Sequence, residues 1–266
     1  MEMLANITSF YEDALKHGDP RVESWLLMKS PLPIALLFVF YILMVKCGPA
    51  FMENRKPVNL KFVIIPYNFL LVGLSFYMFY EFLVTAVLSK YSLKCQPVDY
   101  SSSPLALRMA SVCWWFFFSK VIELLDTAFF ILRKKNNQLS FLHVYHHSTM
   151  IINWWLGARY VPGGQSFMVA LLNSFVHIWM YSYYGLAAVG PHMQKYLGWK
   201  RYLTSLQLLQ FVAFTIHTGY NMTTDCAFPQ GFNYAVFLYG LSLITLFGNF
   251  YYQQYVLKKQ KSQKQM

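Results

Sequence analysis

Long apolar runs separated by short polar segments make up most of this chain. A helix that crosses a hydrocarbon core of about 30 Å needs about 20 mostly apolar residues. Seven runs of that kind lie near residues 31–49, 62–88, 105–132, 141–158, 166–189, 203–220 and 234–257. We therefore predict an all-α integral membrane protein with seven transmembrane helices, numbered spans one to seven in chain order.

The composition supports this prediction, because 56% of the residues are hydrophobic and only 12% are charged. The segments between the runs are short and rich in Lys, Pro, Gly, Ser and Asn, with no linker long enough to mark a second domain. We therefore predict that residues 1–266 form a single membrane-embedded domain. The first 30 residues lack the basic start and short apolar core of a cleavable signal, so span one is expected to stay as a signal anchor.

The distribution of Lys and Arg predicts the orientation, since cytosolic flanks of membrane helices collect these residues. The segments after spans one, three and five and the C-terminal tail hold 14 of them, whereas the opposite side holds 7. The N-terminus is thus predicted to face the lumen or exterior, and the C-terminus the cytosol. The net charge of +11 then lies mostly on the cytosolic face, which suits anionic lipid or an anionic soluble substrate and requires no nucleic acid.

Two cysteines and a sequon fall on the predicted lumenal side. Cys95 and Cys226 lie in different loops of an oxidising compartment, where a disulfide between them is one interpretation and two unrelated free thiols the other. The sequon that begins at Asn6 is a candidate glycosylation site, and a second match begins at Asn221, at a helix end.

Polar side chains inside the spans are the strongest indication of a functional site, because lipid makes them costly unless they face a protein interior or a watery cavity. Helical spacing gathers each group on one face of its helix. The groups are Lys120, Glu123 and Asp126 in span three; His143, His146 and His147 in span four; Asn173, His177 and Tyr181 in span five; and Thr204, Gln207 and Gln210 in span six. At about 1.5 Å per residue, these faces converge in the cytosolic half of the bundle. Any one group alone is also explained by interhelical hydrogen bonding.

Three kinds of function fit this pattern. Imidazole suits iron, copper and zinc, so the HxxHH cluster could hold a metal ion, alone or with Asp126, as in a membrane oxygenase. Alternatively, two histidines and Asp126 could supply a nucleophile, a base and an orienting group for acyl transfer from a thioester. The spacing does not choose between His143, His146 and His147 as nucleophile. A non-catalytic seven-span receptor or transporter is supported by the span count alone.

Four motifs in order, KVIELLDT, FLHVYHH, NSFVHIWMYSYY and TSLQLLQ, resemble those of the very-long-chain fatty acid elongase family. The resemblance extends from span one to span seven. Flanking segments such as CQPVDYSSS and ILRKKNNQ are most similar to the branch that acts on very-long-chain and polyunsaturated acyl-CoAs. The resemblance implies a 3-oxoacyl-CoA synthase, which condenses acyl-CoA with malonyl-CoA and releases CoA and carbon dioxide. Six helices would surround a narrow acyl-chain tunnel, and neither a metal nor another bound cofactor would be needed.

The resemblance also implies roles for individual residues. His146 would carry the acyl group, with His177 beside it and with His143, His147 and Asp126 as the other catalytic candidates. Substrate-binding candidates are Lys120, Glu123, Asn173, Tyr181, Thr204 and Gln207 around the thioester, and Arg133, Lys135, Gln138 and Lys200 for CoA. Further expectations are a multi-pass protein of the endoplasmic reticulum membrane, a homo-oligomer, and the reductase and dehydratase of the elongation cycle as partners. The tail KSQKQM lacks a clean lysine retrieval signal, so residence in the reticulum follows from family and topology alone.

Overall fold

The computed structural model describes residue 9 and residues 12–257. Within these residues the secondary structure is helical, without strands. The α-helices are α1 (Leu32–Met52), α2 (Lys61–Leu88), α3 (Pro104–Glu123), α4 (Leu125–Leu132), α5 (Phe141–Tyr160), α6 (Ser166–Val189), α7 (Lys200–Met222) and α8 (Gln230–Tyr251). Each predicted span therefore coincides with a helix, except that span three is divided between α3 and α4. A π-helical segment, Tyr252–Leu257, continues α8.

The division of span three lies at Leu124. There the backbone bonds tighten to a three-residue step: the N–H of Leu124 donates to the carbonyl of Val121, and that of Thr127 donates to Leu124. The span predicted near residues 105–132 thus consists of two consecutive helices that meet at Leu124. The break separates Lys120 and Glu123, on α3, from Asp126 and Thr127, on α4.

Among the residues that the structure describes, three helices are long and apolar enough by hydropathy to cross a membrane: α1, α2 and the helix that runs from Gln230 to Leu257. Large apolar side chains project outward from them, among them Phe62, Leu70 and Leu238. This surface is typical of helices in contact with lipid. The helices α3, α5, α6 and α7 carry the polar groups of the predicted site, and these groups lower the mean hydropathy of their segments.

Helix packing places α2 along α6 and α7 along α8, while α3 packs against α2 and α5, and α1 contacts α4 and α5. The largest buried apolar cluster joins α2, α3, α5 and α6 around Phe116, Phe117 and Trp154. The side chains of α3 and α6 that face this packed interior include the polar ones, because they are surrounded by other helices rather than lipid.

At one end of the bundle, loops are tied to one another and to the helices. We call it the disulfide end, formed by loops 89–103, 161–165 and 223–229. A disulfide joins Cys95 to Cys226, with 5.6 Å between the Cα atoms. Gln165 accepts from the N–H of Gln96 at 2.9 Å, and His217 Nε2 lies 2.8 Å from the carbonyl oxygen of Leu93.

The segment before α1 is fastened to the same end. The buried guanidinium of Arg159 donates to the carbonyl oxygens of Asp19 and Leu15, and Trp155 donates to that of Leu27. Of the two sequons, Asn6 lies outside the described residues. Asn221 is fully buried and donates to the carbonyl of His217, so its amide is not accessible to a glycosyltransferase.

Candidate functional site

Four buried side chains from α3 and α6 form the centre of the site, named here the polar cluster: Lys120, Glu123, Asn173 and His177. The Lys120 Nζ atom lies 2.8 Å from Glu123 Oε1 and 3.2 Å from Asn173 Oδ1. His177 Nδ1 lies 3.3 Å from the same Glu123 oxygen. The most exposed of the four, Asn173, has only 6% of its surface accessible. Two predicted polar faces therefore meet directly.

His177 Nδ1 lies between two charged groups of the cluster. A carboxylate only accepts hydrogen bonds, and an ammonium only donates them. The Glu123 oxygen lies 3.3 Å from Nδ1, and Lys120 Nζ lies 3.5 Å from it. A proton on Nδ1 donates to Glu123 and leaves Nε2 with a free lone pair, whereas a lone pair on Nδ1 accepts from Lys120 and puts the proton on Nε2. The first of these tautomers makes Nε2 a base.

The three histidines of α5 lie side by side near its start. Ser140 caps this helix by accepting from the N–H of His143 at 3.2 Å, which places the cluster in the first two turns. The ring centroids of His143 and His147 are 4.3 Å apart, and those of His146 and His147 are 5.4 Å apart. All three side chains are half-buried. The shared helix face predicted from the spacing is thus a contiguous row of imidazoles.

His146 differs from His143 in its surroundings. In the part of the chain that the structure describes, neither ring nitrogen of His146 has a hydrogen-bond partner, whereas His143 Nε2 lies 2.8 Å from the Thr127 hydroxyl. His146 packs edge-on against Phe247, with centroids 6.2 Å apart, and lies within electrostatic range of Lys120 and His177. Its nitrogens are therefore available to react near the polar cluster.

Asp126 has a different neighbour from the one its predicted role requires. Its carboxylate accepts from the Tyr181 hydroxyl at 3.1 Å. Within the described residues it makes no hydrogen bond to a histidine, and the carboxylate that contacts a histidine of the site is that of Glu123. The role of Asp126 as the orienting group of the histidines stays a prediction, and the carboxylate that lies beside His177 is that of Glu123.

The remaining predicted residues lie farther from the polar cluster. Thr204 contacts the Tyr255 hydroxyl at 3.3 Å, and Gln207 Nε2 donates to Met180 Sδ at 3.5 Å. Neither contacts the polar cluster directly. Gln138 is exposed in the loop before α5, and Lys200 is exposed as the first residue of α7.

Arg133 and Lys135 line a surface cleft of about 470 Å³ that is closed on the other side by the start of α2 and the end of α6. Lys61 lines the same cleft, so three cations face one space. Sequence reasoning missed Lys61 in this role, because only the fold brings the start of α2 beside the end of α4. Lys200 does not line this cleft.

An apolar cavity of about 570 Å³ lies between α5, α6, α7 and α8. Along α5 its lining runs from Tyr145 to Val161, a distance of about 24 Å at the rise of an α-helix. The walls are largely aromatic and aliphatic, and the end remote from the histidines is lined by Phe228 and Phe232, beside the disulfide. Asn173 lines the cavity and also belongs to the polar cluster. The cavity and the cluster are therefore continuous.

The described residues do not supply an arranged metal-ligand set. No group of three or more His, Cys, Asp or Glu side chains among them has positions suited to one ion. His143 Nε2 is engaged by Thr127 and His177 Nδ1 by Glu123.

Together, the fold and the site define a multi-pass helical membrane protein in which a buried polar cluster adjoins a long apolar cavity. Residues 26–263 match the family described as ELO: GNS1/SUR4 family. Relatives include very long chain fatty acid elongase 4 of Homo sapiens, which is 50% identical over 95% of this chain and 80% of the relative. Elongase 7 of Rattus norvegicus is 49% identical over 96% of this chain and 92% of the relative, and elongase 1 of Homo sapiens is 46% identical over 97% and 93%. The chain belongs to the ELO family.

Membership confirms the resemblance that the four motifs indicated. The chain is an acyltransferase, a condensing enzyme of fatty acid elongation whose substrates are CoA thioesters. The receptor and oxygenase interpretations of the sequence are thereby set aside.

Proposed function

We propose that the protein condenses long-chain and very-long-chain acyl-CoA with malonyl-CoA through an acyl group bound to His146. The observation that carries this proposal is Asn173, which belongs both to the polar cluster and to the apolar cavity. A substrate whose acyl chain fills the cavity would bring its thioester to the cluster. The named relatives are very long chain fatty acid elongases, which supports acyl chains of that class.

In the first half-reaction, an unpaired ring nitrogen of His146 attacks the thioester carbonyl, and the bond between carbon and sulfur breaks. The proton released from the His146 ring passes to His177 Nε2, which the contact with Glu123 leaves free. CoA leaves as a thiolate and takes up that proton. Lys120 and Asn173 supply hydrogen-bond donors for the negative charge that develops on the carbonyl oxygen.

In the second half-reaction, malonyl-CoA loses carbon dioxide, and the electron pair of the broken carbon–carbon bond forms an enolate. The enolate carbon attacks the acyl carbonyl, the bond to His146 breaks, and the imidazole regains a proton from solvent. The products are 3-oxoacyl-CoA, CoA and carbon dioxide. No bound metal or other cofactor takes part in this scheme. Arg133, Lys135 and Lys61 are the proposed contacts of CoA phosphates, because their cleft is cationic.

The proposal also covers the topology, membrane orientation and partners of the enzyme. Seven spans, with α3 and α4 together forming the third, would surround the cavity with six helices and make it a tunnel. The histidine end would face the cytosol, where the loops rich in Lys and Arg lie, and the disulfide end the lumen of the endoplasmic reticulum. Polyunsaturated substrates, a homo-oligomer and contacts with the reductase and dehydratase of the cycle are part of the same proposal.

The test is an assay of the purified full-length protein with radiolabelled malonyl-CoA and acyl-CoAs of increasing length. We expect labelled 3-oxoacyl-CoA and, after incubation with acyl-CoA alone, an acyl adduct on the peptide that contains His146. Absence of labelled product with every acyl-CoA would overturn the activity. Full turnover by His146→Ala would overturn the intermediate but not the activity.

A further inference from the structure

A series of hydrogen bonds between side chains reaches the row of imidazoles (His143, His146 and His147) from outside the cavity walls. The hydroxyl of Tyr41, on α1, lies 3.2 Å from that of Thr127, on α4, and the Thr127 hydroxyl lies 2.8 Å from His143 Nε2. Tyr41 is 1% exposed and Thr127 is fully buried. This series of hydrogen bonds is distinct from the polar cluster, because it begins on α1, which packs on α4 and α5.

The direction of these hydrogen bonds follows from the donors and acceptors available. A buried hydroxyl proton without an acceptor is costly, so the Tyr41 proton needs one. Among the residues that the structure describes, the side-chain acceptor beside it is the Thr127 oxygen. If Tyr41 donates to Thr127, the single Thr127 proton is free to donate to His143 Nε2. His143 Nε2 is then an acceptor, and the proton of the neutral ring is on Nδ1.

Resting on the proposed function, we propose that Thr127 and Tyr41 are positioning residues: they hold His143 as the neutral Nδ1–H tautomer and exclude it as the acyl carrier. The orientation passes along the row, because the His143 ring lies 4.3 Å from that of His147, which contacts His146. Thr127 and Tyr41 thereby orient the imidazole row. The first helix, α1, contributes to catalysis as well as to anchorage.

The Thr127 hydroxyl is separable from the Thr127 methyl group by substitution. Thr127→Val keeps the shape and removes the hydroxyl, whereas Thr127→Ser keeps the hydroxyl and removes the methyl. We expect kcat to fall at least about tenfold in Thr127→Val, with KM for both substrates within twofold of wild type, and Thr127→Ser to return to within about threefold of wild type. Tyr41→Phe should have a smaller effect, because Thr127 can still donate to His143.

Matched controls are Thr245→Val and Tyr220→Phe, at exposed helix positions away from the cavity and the histidines. Both should retain wild-type kcat. Thr127→Val with wild-type kcat would overturn the proposal, as would Thr127→Ser as slow as Thr127→Val, since packing of the methyl group would then be the cause. If Thr127→Val does not fold, Tyr41→Phe together with Thr127→Ser gives the same decision: unchanged kcat in Tyr41→Phe combined with low kcat in Thr127→Ser would overturn it.

A second readout concerns the acyl carrier. Peptide mass spectrometry after incubation with acyl-CoA alone should show no adduct on His143 in the wild type, and an adduct there would overturn the inference. Failure of the wild type to form 3-oxoacyl-CoA would instead count against the proposed function. Both measurements use the same preparation, so failure of this inference is distinguished from failure of the proposed function.

Discussion

The two ends of this bundle are held together by different kinds of bond. At the histidine end, side chains bind mainly one another, as in the pairs Lys120 with Glu123 and Thr127 with His143. At the disulfide end, side chains bind backbone carbonyls, as Arg159 and His217 do, and a covalent bond joins two loops. Both ends contain buried polar groups, so burial of polar side chains alone does not distinguish a functional site from contacts that only stabilise the fold.

The difference indicates what each end contributes. A bond from a side chain to a backbone carbonyl fixes the path of a loop, and its loss costs folding free energy. A network of side chains holds ionisable groups at fixed distances from one another but does not fix the path of the backbone. Its loss therefore lowers the catalytic rate more than the folding free energy. Histidine substitutions at the two ends should therefore give opposite results.

The largest expected effect comes from His146→Ala. Loss of the proposed nucleophile should lower kcat at least about 1,000-fold, as removal of a nucleophile does in covalent catalysis, while the melting temperature changes little. The matched variant is His217→Ala, which removes the bond to the Leu93 carbonyl and should lower the melting temperature while keeping kcat within about threefold of wild type. Radiometric assays and thermal unfolding of both purified variants measure the contrast. An active His146→Ala enzyme, or an inactive but stable His217→Ala enzyme, would contradict it.

Glu123→Gln should have the next largest effect. The substitution leaves Lys120 without its buried counter-charge and His177 without the carboxylate that orients it, so we expect kcat to fall about 100-fold and stability to decrease by about 3 kcal/mol. In the double variant Lys120→Met with Glu123→Gln, no unpaired charge remains, and stability should largely return although activity does not. Recovery of both would show that the pair is only structural.

How much of this could be predicted from sequence depends on the distance between the interacting residues. Helix faces follow from spacing within a segment, and the face that carries Lys120 and Glu123 does meet the one that carries Asn173 and His177. The boundaries of the apolar runs likewise agree with the helices, because hydropathy and helix length are local properties.

The rest depends on tertiary detail. The break at Leu124 is one tightened turn inside an apolar run, and nothing in the surrounding residues, which lack Pro and Gly, indicates it. The contacts of Asp126 with Tyr181 and of Thr127 with His143 join different helices, so spacing within one segment does not predict them. Tyr41 and Lys61 each lie about 70 residues or more from their partners in the chain, so their roles appear only when the helices are packed.

Phe228→Ala tests the disulfide end as the boundary of the proposed acyl tunnel. Phe228 is 4% exposed, lines the far end of the cavity and packs on Cys226. Removing its ring should extend the cavity and allow one further round of elongation, with little change in kcat for shorter substrates. Product chain lengths, analysed after incubation with a panel of acyl-CoAs, measure the change. Phe62→Ala, at an outward-facing position of α2, should leave the distribution unchanged; an unchanged distribution in Phe228→Ala would place the boundary elsewhere.

The smallest expected effect lies in the loops of the disulfide end, where water screens the charges. The hydroxyl and backbone N–H of Ser101, with a smaller contribution from Arg21, lower the pKa of Asp99 below its ordinary value. A lowered pKa means that the ionised carboxylate stabilises the fold at pH values above the unfolded pKa of about 3.9, and that this stabilisation is lost as the pH falls through the folded pKa. Because Asp99 is exposed, Asp99→Asn should cost only a few tenths of a kcal/mol at pH 7 and nothing once the pH lies below the folded pKa. Unfolding curves of the two proteins should therefore converge on acidification, and a difference that grew instead would mean that the carboxylate is held in its neutral form.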